Sequence, residues 1–274
     1  MERNHLIRRR EGGTSYLTDD GYGFPVLFLH GIPGSAYTWE PVALRLRDQF
    51  RVIVPDLRGF GDSAPSPDYY MEGQARAVKR LLDALDIKDC ALVAHDFGGP
   101  VGLTFMRLFS ESVVCRLVLS NTNLFTDTYI PAPLRLAKIP LLSTIFFYLI
   151  AGNRLGLWLM YRSAVQQKQT ATWTKFQRHL TPMGMRMTRR IFQRSLADLE
   201  ANYHDLEQML SGLNVPTLIL WGENDPFFSV DVGERTQSAF PDAELVVLDQ
   251  TGHFVPEERP AEVTSALVSF LSDR

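Results

Sequence analysis

A chain of 274 residues with 45% hydrophobic side chains can bury a large core, and it fits one α/β domain with an insertion better than two independent domains. A net charge of −3 implies no nucleic-acid partner, and the amino-terminal "MERNHLIRRREGG" is too charged to hold the apolar segment of a signal peptide. Cys90 and Cys115 each sit inside an apolar run, which predicts buried thiols in a reducing compartment, and so a cytosolic protein, and not a disulfide framework.

Short β-rich apolar runs alternate with longer amphipathic ones, the pattern of βα units on a mostly parallel sheet. In chain order the predicted strands are "VLFLH" (26–30), "RVIVPDL" (51–57), "CALVAHD" (90–96), "RLVLSN" (116–121), "TLILWG" (217–222) and "ELVVLD" (244–249). Most are apolar without alternation, as strands covered on both faces should be. Between the second and third, "MEGQARAVKRLLDALD" places Ala75, Val78, Leu81, Leu82 and Leu85 on one helical stripe.

From about Phe125 to Leu210 only helical spacing is found, so a helical insertion is expected over one end of the sheet. Its charge is one-sided. Between Thr128 and Ala197 there is no Asp or Glu, against eleven basic residues from Arg135 to Arg194, which leaves 17 basic against 31 acidic residues elsewhere, a balance of −14. The run "IPLLSTIFFYLIAGN", broken by Pro140 and Gly152, falls short of the ~20 apolar residues that a membrane span needs. The basic segment suggests either an amphipathic, anionic substrate or peripheral contact with an anionic membrane surface, with a plain solvated face as the simpler alternative.

Chemistry concentrates at strand ends. "VAHDFGG" (93–99) ends a strand in Asp96 and opens a helix through two glycines, the strand-turn-helix setting of a nucleophile elbow with a carboxylate in the nucleophile's place. An aspartate beside glycine is also a common helix cap, so this motif carries little by itself. Asp225, in "LILWGENDPFF", and His253, in "VVLDQTGHFVPEERP", follow later strands in the chain order nucleophile, acid, base. His5, His179 and His204 are most simply solvated, and His95 most simply packs beside the elbow.

With "HGIPGSAYTW" (30–39), "DLRGFGDS" (56–63), "HDFGG" (95–99), "WGENDPF" (221–227) and "GHFVPEERP" (252–260), the chain resembles the α/β-hydrolase superfamily, in its epoxide hydrolase and haloalkane dehalogenase branch. The resemblance implies a hydrolase core over 1–124 and 211–274, a helical cap over 125–210, and reaction through an ester on Asp96. Asp225 would orient His253, which would activate water, while the backbone N–H groups of Ile32 and Phe97 would hold the oxyanion. "DLRGFGDS" is better explained as a stabiliser of the sheet edge.

The branch contains two chemistries. Halide departure calls for donors such as an indole N–H, often directly after the nucleophile, where this chain has Phe97. Epoxide opening calls for an acid, which family members take from cap tyrosines. Tyr129, Tyr148, Tyr161 and Tyr203 are the candidates, and Trp173 is the one cap residue that keeps a haloalkane or haloacid dehalogenase in view. Taken singly, each is more often a packing residue. Epoxide opening on a small apolar or amphipathic substrate is therefore the expected activity, with dehalogenation as the alternative and a ligand-binding receptor or scaffold as a second. With no metal-ligand cluster and no phosphate-binding glycine loop, no cofactor is expected.

Overall fold

The computed structural model describes residues 6–109, 113–128, 145, 148–149 and 153–272. Among these, the strands β1 (Ile7–Glu11), β2 (Thr14–Thr18), β3 (Pro25–Leu29), β4 (Arg51–Pro55), β5 (Cys90–His95), β6 (Val114–Ser120), β7 (Thr217–Gly222) and β8 (Ala243–Leu248) form an eight-stranded sheet in the order β1-β2-β4-β3-β5-β6-β7-β8. Every pair from β4 to β8 is parallel, and only β1 and β2 are added antiparallel.

Strand alternation divides the core. Val26, Phe28, Val52, Val54, Ala91 and Val93 face helices α1 (Glu40–Leu46) and α10 (Pro260–Ser272), whereas Leu27, Leu29, Ile53, Leu92 and Ala94 face α2 (Met71–Ala84) and α3 (Gly98–Phe109). Helix α8 (Val230–Ala239) joins the second layer between β7 and β8. Between β6 and β7 the described chain is helical, with α4 (Arg154–Ala164), α5 (Trp173–Gln177), α6 (Pro182–Ala197) and α7 (Leu199–Met209). The short helix α9 (Val255–Glu258) follows the His253 loop.

The sequence reading did not include β1 and β2. "IRRRE" is charged where a buried strand would be apolar, yet charge is how an edge strand resists pairing with another chain. The signal lay in Gly12 and Gly13, whose φ of +52° and +80° close the hairpin. Cys115 corrects a second expectation: Cys90 is buried but Cys115 is exposed. The β5–β6 register shifts there, with Cys90 opposite Val114 and Ala91 opposite Arg116, so Cys115 is the extra residue of a bulge and turns to solvent.

The edge hairpin is tied to the core through Asp56. Its fully buried carboxylate accepts from Arg8 (2.5 Å), the Ala36 N–H (2.7 Å) and the Asp62 N–H (3.0 Å). Gly61, at φ +48°, lets the chain wrap it, since a Cβ there would lie 2.2 Å from the Asp56 carboxyl carbon. Replacing Asp56 with Ala would strand two backbone donors and a half-buried guanidinium. Chemical denaturation should show a loss of about 3 kcal/mol, whereas Asp62→Ala, at the exposed rim, should lose under about 1 kcal/mol.

Candidate active site

The turn from β5 to α3 places Asp96 in the left-handed region, at φ +50°, where a non-glycine residue is held only by its surroundings. Those surroundings are specific. The Asp96 N–H bonds the Ser120 carbonyl (3.1 Å), and the Asp96 carbonyl accepts from the Gly99 N–H (3.0 Å) and the Thr122 hydroxyl (2.7 Å). Gly98 allows the turn to approach β3, because a Cβ there would stand 2.6 Å from the Leu29 carbonyl oxygen.

The carboxylate of Asp96 is thereby presented with its two oxygens in different environments. Oδ1 accepts from the Ile32 N–H at 2.6 Å, and the Phe97 N–H also bonds the carboxylate. Oδ2 faces His253 Nε2 at 3.7 Å, a gap wider than a hydrogen bond. On the other side of the ring, Nδ1 lies 2.9 Å from Asp225 Oδ2, so the nitrogen that faces Asp96 is free to accept a proton when the imidazole is neutral. Asp225 is itself held by the Asn121 amide (2.6 Å) and by the N–H groups of Phe227 (2.8 Å) and Phe228 (3.2 Å).

Electrostatics follow from this burial. Burial raises the pKa of Asp96, partly opposed by His253 and by the N–H groups of Ile32 and Phe97. For His253, burial opposes the charged form, but Asp225, by its charge and its hydrogen bond, and then Asp96 outweigh it, and the net shift is upward. Two nearby imidazoles are kept neutral. His30 is lowered to about 4 by burial, its Nε2 accepting from the Leu57 N–H (3.0 Å) while Nδ1 donates to the Gly31 carbonyl (2.8 Å), which fixes the turn that carries Ile32. His95, also lowered by burial, donates Nε2–H to the His253 carbonyl (2.9 Å), and its ring lies tilted 4.8 Å from the His253 ring.

A cavity of about 110 Å³ opens above these groups, with Asp96, Phe97, Ile32 and His253 at its floor and Met160, Tyr161, Phe192, Leu196, Leu199 and Tyr203 from α4, α6 and α7 in its walls. Of the four tyrosines considered, Tyr161 and Tyr203 reach it. The Tyr161 hydroxyl donates to Glu257 (2.6 Å), and burial, followed by that carboxylate, raises its pKa. Tyr203 is buried beside Ser195 and Asn123; burial, then the charges of Tyr70 and Asp96, raises its pKa, with both hydrogen-bonding neighbours acting in the opposite direction. Tyr148 is 63% exposed, and Trp173 is 39% exposed and packs edge-on against Trp158 (5.5 Å); neither lines the cavity. Tyr129 lies outside the described residues.

Several residues of the site escaped the sequence reading. His179, expected to be solvated, is buried between Ser35 (3.1 Å) and Glu257 (3.5 Å) and joins the chain between α5 and α6 to the core. Glu258 accepts the N–H groups of Gly252 (3.0 Å), Gln166 (2.8 Å) and Gln167 (2.9 Å), clamping the His253 loop to the end of α4. Asn121 sits at the end of β6 with φ +42°, and the only signal for it was its position at a strand end on the same sheet edge as Asp96.

The family model for the α/β hydrolase fold matches residues 25–260, the stretch that holds Asp96, Asp225 and His253. The chain belongs to that family and is a hydrolase. Epoxide hydrolase 4 of Homo sapiens is 27% identical to it, over 97% of this chain and 78% of its own length. The cis-3-alkyl-4-alkyloxetan-2-one decarboxylase of Shewanella oneidensis is 26% identical, over 99% of this chain and 89% of its own. The solved structure of the epoxide hydrolase CorEH without ligand shares the fold with a TM-score of 0.80, over 97% of this chain and 98% of that one, at 23% identity.

In this hydrolase the Asn121 amide stabilises the charge of Asp225 and so moderates its pull on His253. Removing that donor in Asn121→Ala leaves Asp225 to be compensated more by the imidazolium. The His253 pKa, followed by NMR of the ring, should therefore rise above its wild-type value; an unchanged titration would show that Asn121 serves packing alone.

Proposed function

We propose that the hydrolase opens epoxides to diols through an ester on Asp96. The observation that carries this reading is the asymmetry of the Asp96 carboxylate: one oxygen is fixed by the Ile32 N–H at 2.6 Å, and the other faces the cavity and His253 Nε2. A carboxylate suits displacement at an sp³ carbon, and the resulting ester must then be cleaved by water. In the first step Oδ2 bonds to a ring carbon as the carbon–oxygen bond of the ring breaks, and the ring oxygen takes the proton of Tyr203. Tyr161 is the weaker candidate for that acid because its hydroxyl is engaged by Glu257.

In the second step His253 takes a proton from water, and the hydroxide adds to the ester carbonyl. The developing oxyanion is Oδ1, already in contact with the Ile32 N–H, and the Phe97 N–H bonds the same carboxylate. Collapse expels the second diol oxygen, which takes the proton of the new carboxyl group, and the imidazolium returns its proton to the Tyr203 phenolate. Alkylation removes the negative charge of Asp96, one of the groups that raise the His253 pKa. The base is thus tuned downward when it must be neutral.

The two relatives described above are named for strained oxygen rings, an epoxide and an oxetanone, in keeping with this reading. Dehalogenation is less well supported. Phe97 offers no side-chain N–H, and Trp173 stands away from the cavity, which leaves a departing halide short of indole donors.

The reading is tested by trapping. His253→Gln should permit the first step and slow the second by at least about a hundredfold, so that an ester accumulates on Asp96. Intact-protein mass spectrometry with a panel of epoxides should show addition of the whole substrate mass. Addition of a haloalkane less hydrogen halide would favour the alternative, and an adduct on any residue other than Asp96 would defeat the mechanism. In the wild type, single-turnover ester hydrolysis should increase with pH as His253 loses its proton, and its midpoint should lie below the pKa of His253 in the free enzyme. A midpoint at or above that value would contradict the charge coupling.

A further inference from the structure

We infer that the outward face of α4, together with Trp173, is the surface by which this protein rests on an anionic lipid interface, and that its substrate is a lipophilic molecule taken up there. The second clause rests on the proposed activity; the first does not.

Large hydrophobic side chains exposed to water are unevenly distributed among the described residues. Eight are exposed, and six of them, Ile145, Tyr148, Leu149, Leu155, Leu159 and Trp173, fall within one stretch of the chain. On α4, Leu155 and Leu159 are four residues apart, one above the other on the same face, at 63% and 58% exposure. Trp173 lies beside that helix through its edge contact with Trp158. An apolar helix face flanked by aromatic residues is the composition of an interfacial helix, and no described helix is long and apolar enough to cross a membrane.

Charge selects the occupant. The same stretch of sequence carries eleven basic residues and no acidic one. Some of these serve the fold: Arg178 pairs with Glu40 (2.5 Å), and Arg190 and Arg194 lie over the rings of Tyr69 and Tyr70 (3.9 and 4.1 Å). Lys168 caps the end of α4 by donating to the Arg162 (2.7 Å) and Val165 carbonyls, whereas Arg154 at the start of α4 and Lys175 on α5 are exposed and have no carboxylate within ion-pair distance among the described residues. A symmetric dimer through this face would bring like charges together, because a twofold interface opposes a patch to itself. An anionic lipid surface meets both the apolar and the basic features.

The cavity gives the surface a use. Met160 and Tyr161, on the inner side of α4, line it, so the exposed leucines and the reacting carboxylate are separated by one helix and the cavity itself. A substrate dissolved in the lipid need pass only around that helix.

The experiment uses the full chain and vesicles of phosphatidylcholine, with and without phosphatidylglycerol. We expect co-sedimentation with the anionic vesicles, weakened by salt, and at least about a tenfold loss in the Leu155→Glu/Leu159→Glu variant. Asp96→Asn should bind as the wild type does, so failure of the proposed chemistry would leave this result standing. Turnover of a long-chain epoxide in anionic vesicles should fall in the double variant, while that of a small water-soluble epoxide stays unchanged. No binding to anionic vesicles at low salt, equal binding to neutral ones, or undiminished binding of the double variant would overturn the lipid surface. Wild-type dimerisation in analytical ultracentrifugation that the double variant loses would also overturn it, assigning the face to a second copy. A parallel fall with both substrates would overturn uptake from the lipid.

Discussion

The site depends on one backbone conformation, the left-handed turn at Asp96. With φ at +50°, the chain leaves β5 and enters α3 with no intervening loop, and the carboxylate stands above the sheet edge where the Ile32 N–H can reach it at 2.6 Å. Such a conformation is unfavourable for an aspartate, and the sheet sustains it. The Ser120 carbonyl and the Thr122 hydroxyl hold Asp96 from the β6 side, and Gly98 allows close contact with β3 on the other. The strain is local, and the surrounding hydrogen bonds come from the end of β6, the turn after β3 and the start of α3.

Burial then sorts the ionisable groups by role. His30 and His95, deprived of water and without a carboxylate partner, stay neutral and serve as fixed donors and acceptors for the turns bearing Ile32 and His253. His253 is equally buried, yet Asp225 at 2.9 Å reverses the sign of its shift. Three imidazoles within one small volume are shifted in different directions because only one has a charged neighbour in hydrogen-bonding contact.

The helices between β6 and β7 are joined to the site by polar contacts as well as apolar ones. Glu258 and the His253 N–H, which bonds the Ala164 carbonyl at 2.9 Å, hold the end of α4 against the His253 loop, and Glu257 gathers His179 and Tyr161 from two parts of the insertion. Glu257 and Glu258 are adjacent on α9. Through both, the cavity wall and the His253 loop share one support, so movement of these helices would be felt at the imidazole.

Much of this was legible in the chain itself. The strands β3 to β7 announce themselves because a residue covered on both faces must be apolar, the partly buried edge strand β8 shows itself by its run of Leu and Val, and Asp96, Asp225 and His253 are recognisable because each follows an apolar strand at the edge where ligands bind in parallel sheets. The edge hairpin was not, since the physical demand on an edge strand is to be charged and unattractive. His179 read as solvated because its partners, Ser35 and Glu257, lie 144 and 78 positions away along the sequence, and no local pattern marks a buried polar contact formed at that separation. The tyrosines make the same point: the sequence offers four, and which hydroxyl meets the cavity depends on how helices with no fixed register to the sheet are packed against it. Sequence alone determined the layering and which side chains stand at the strand ends of the candidate site, because those follow from burial and strand order. The tertiary structure decided which oxygen of Asp96 is held and which is free, because that depends on contacts between residues the chain keeps far apart.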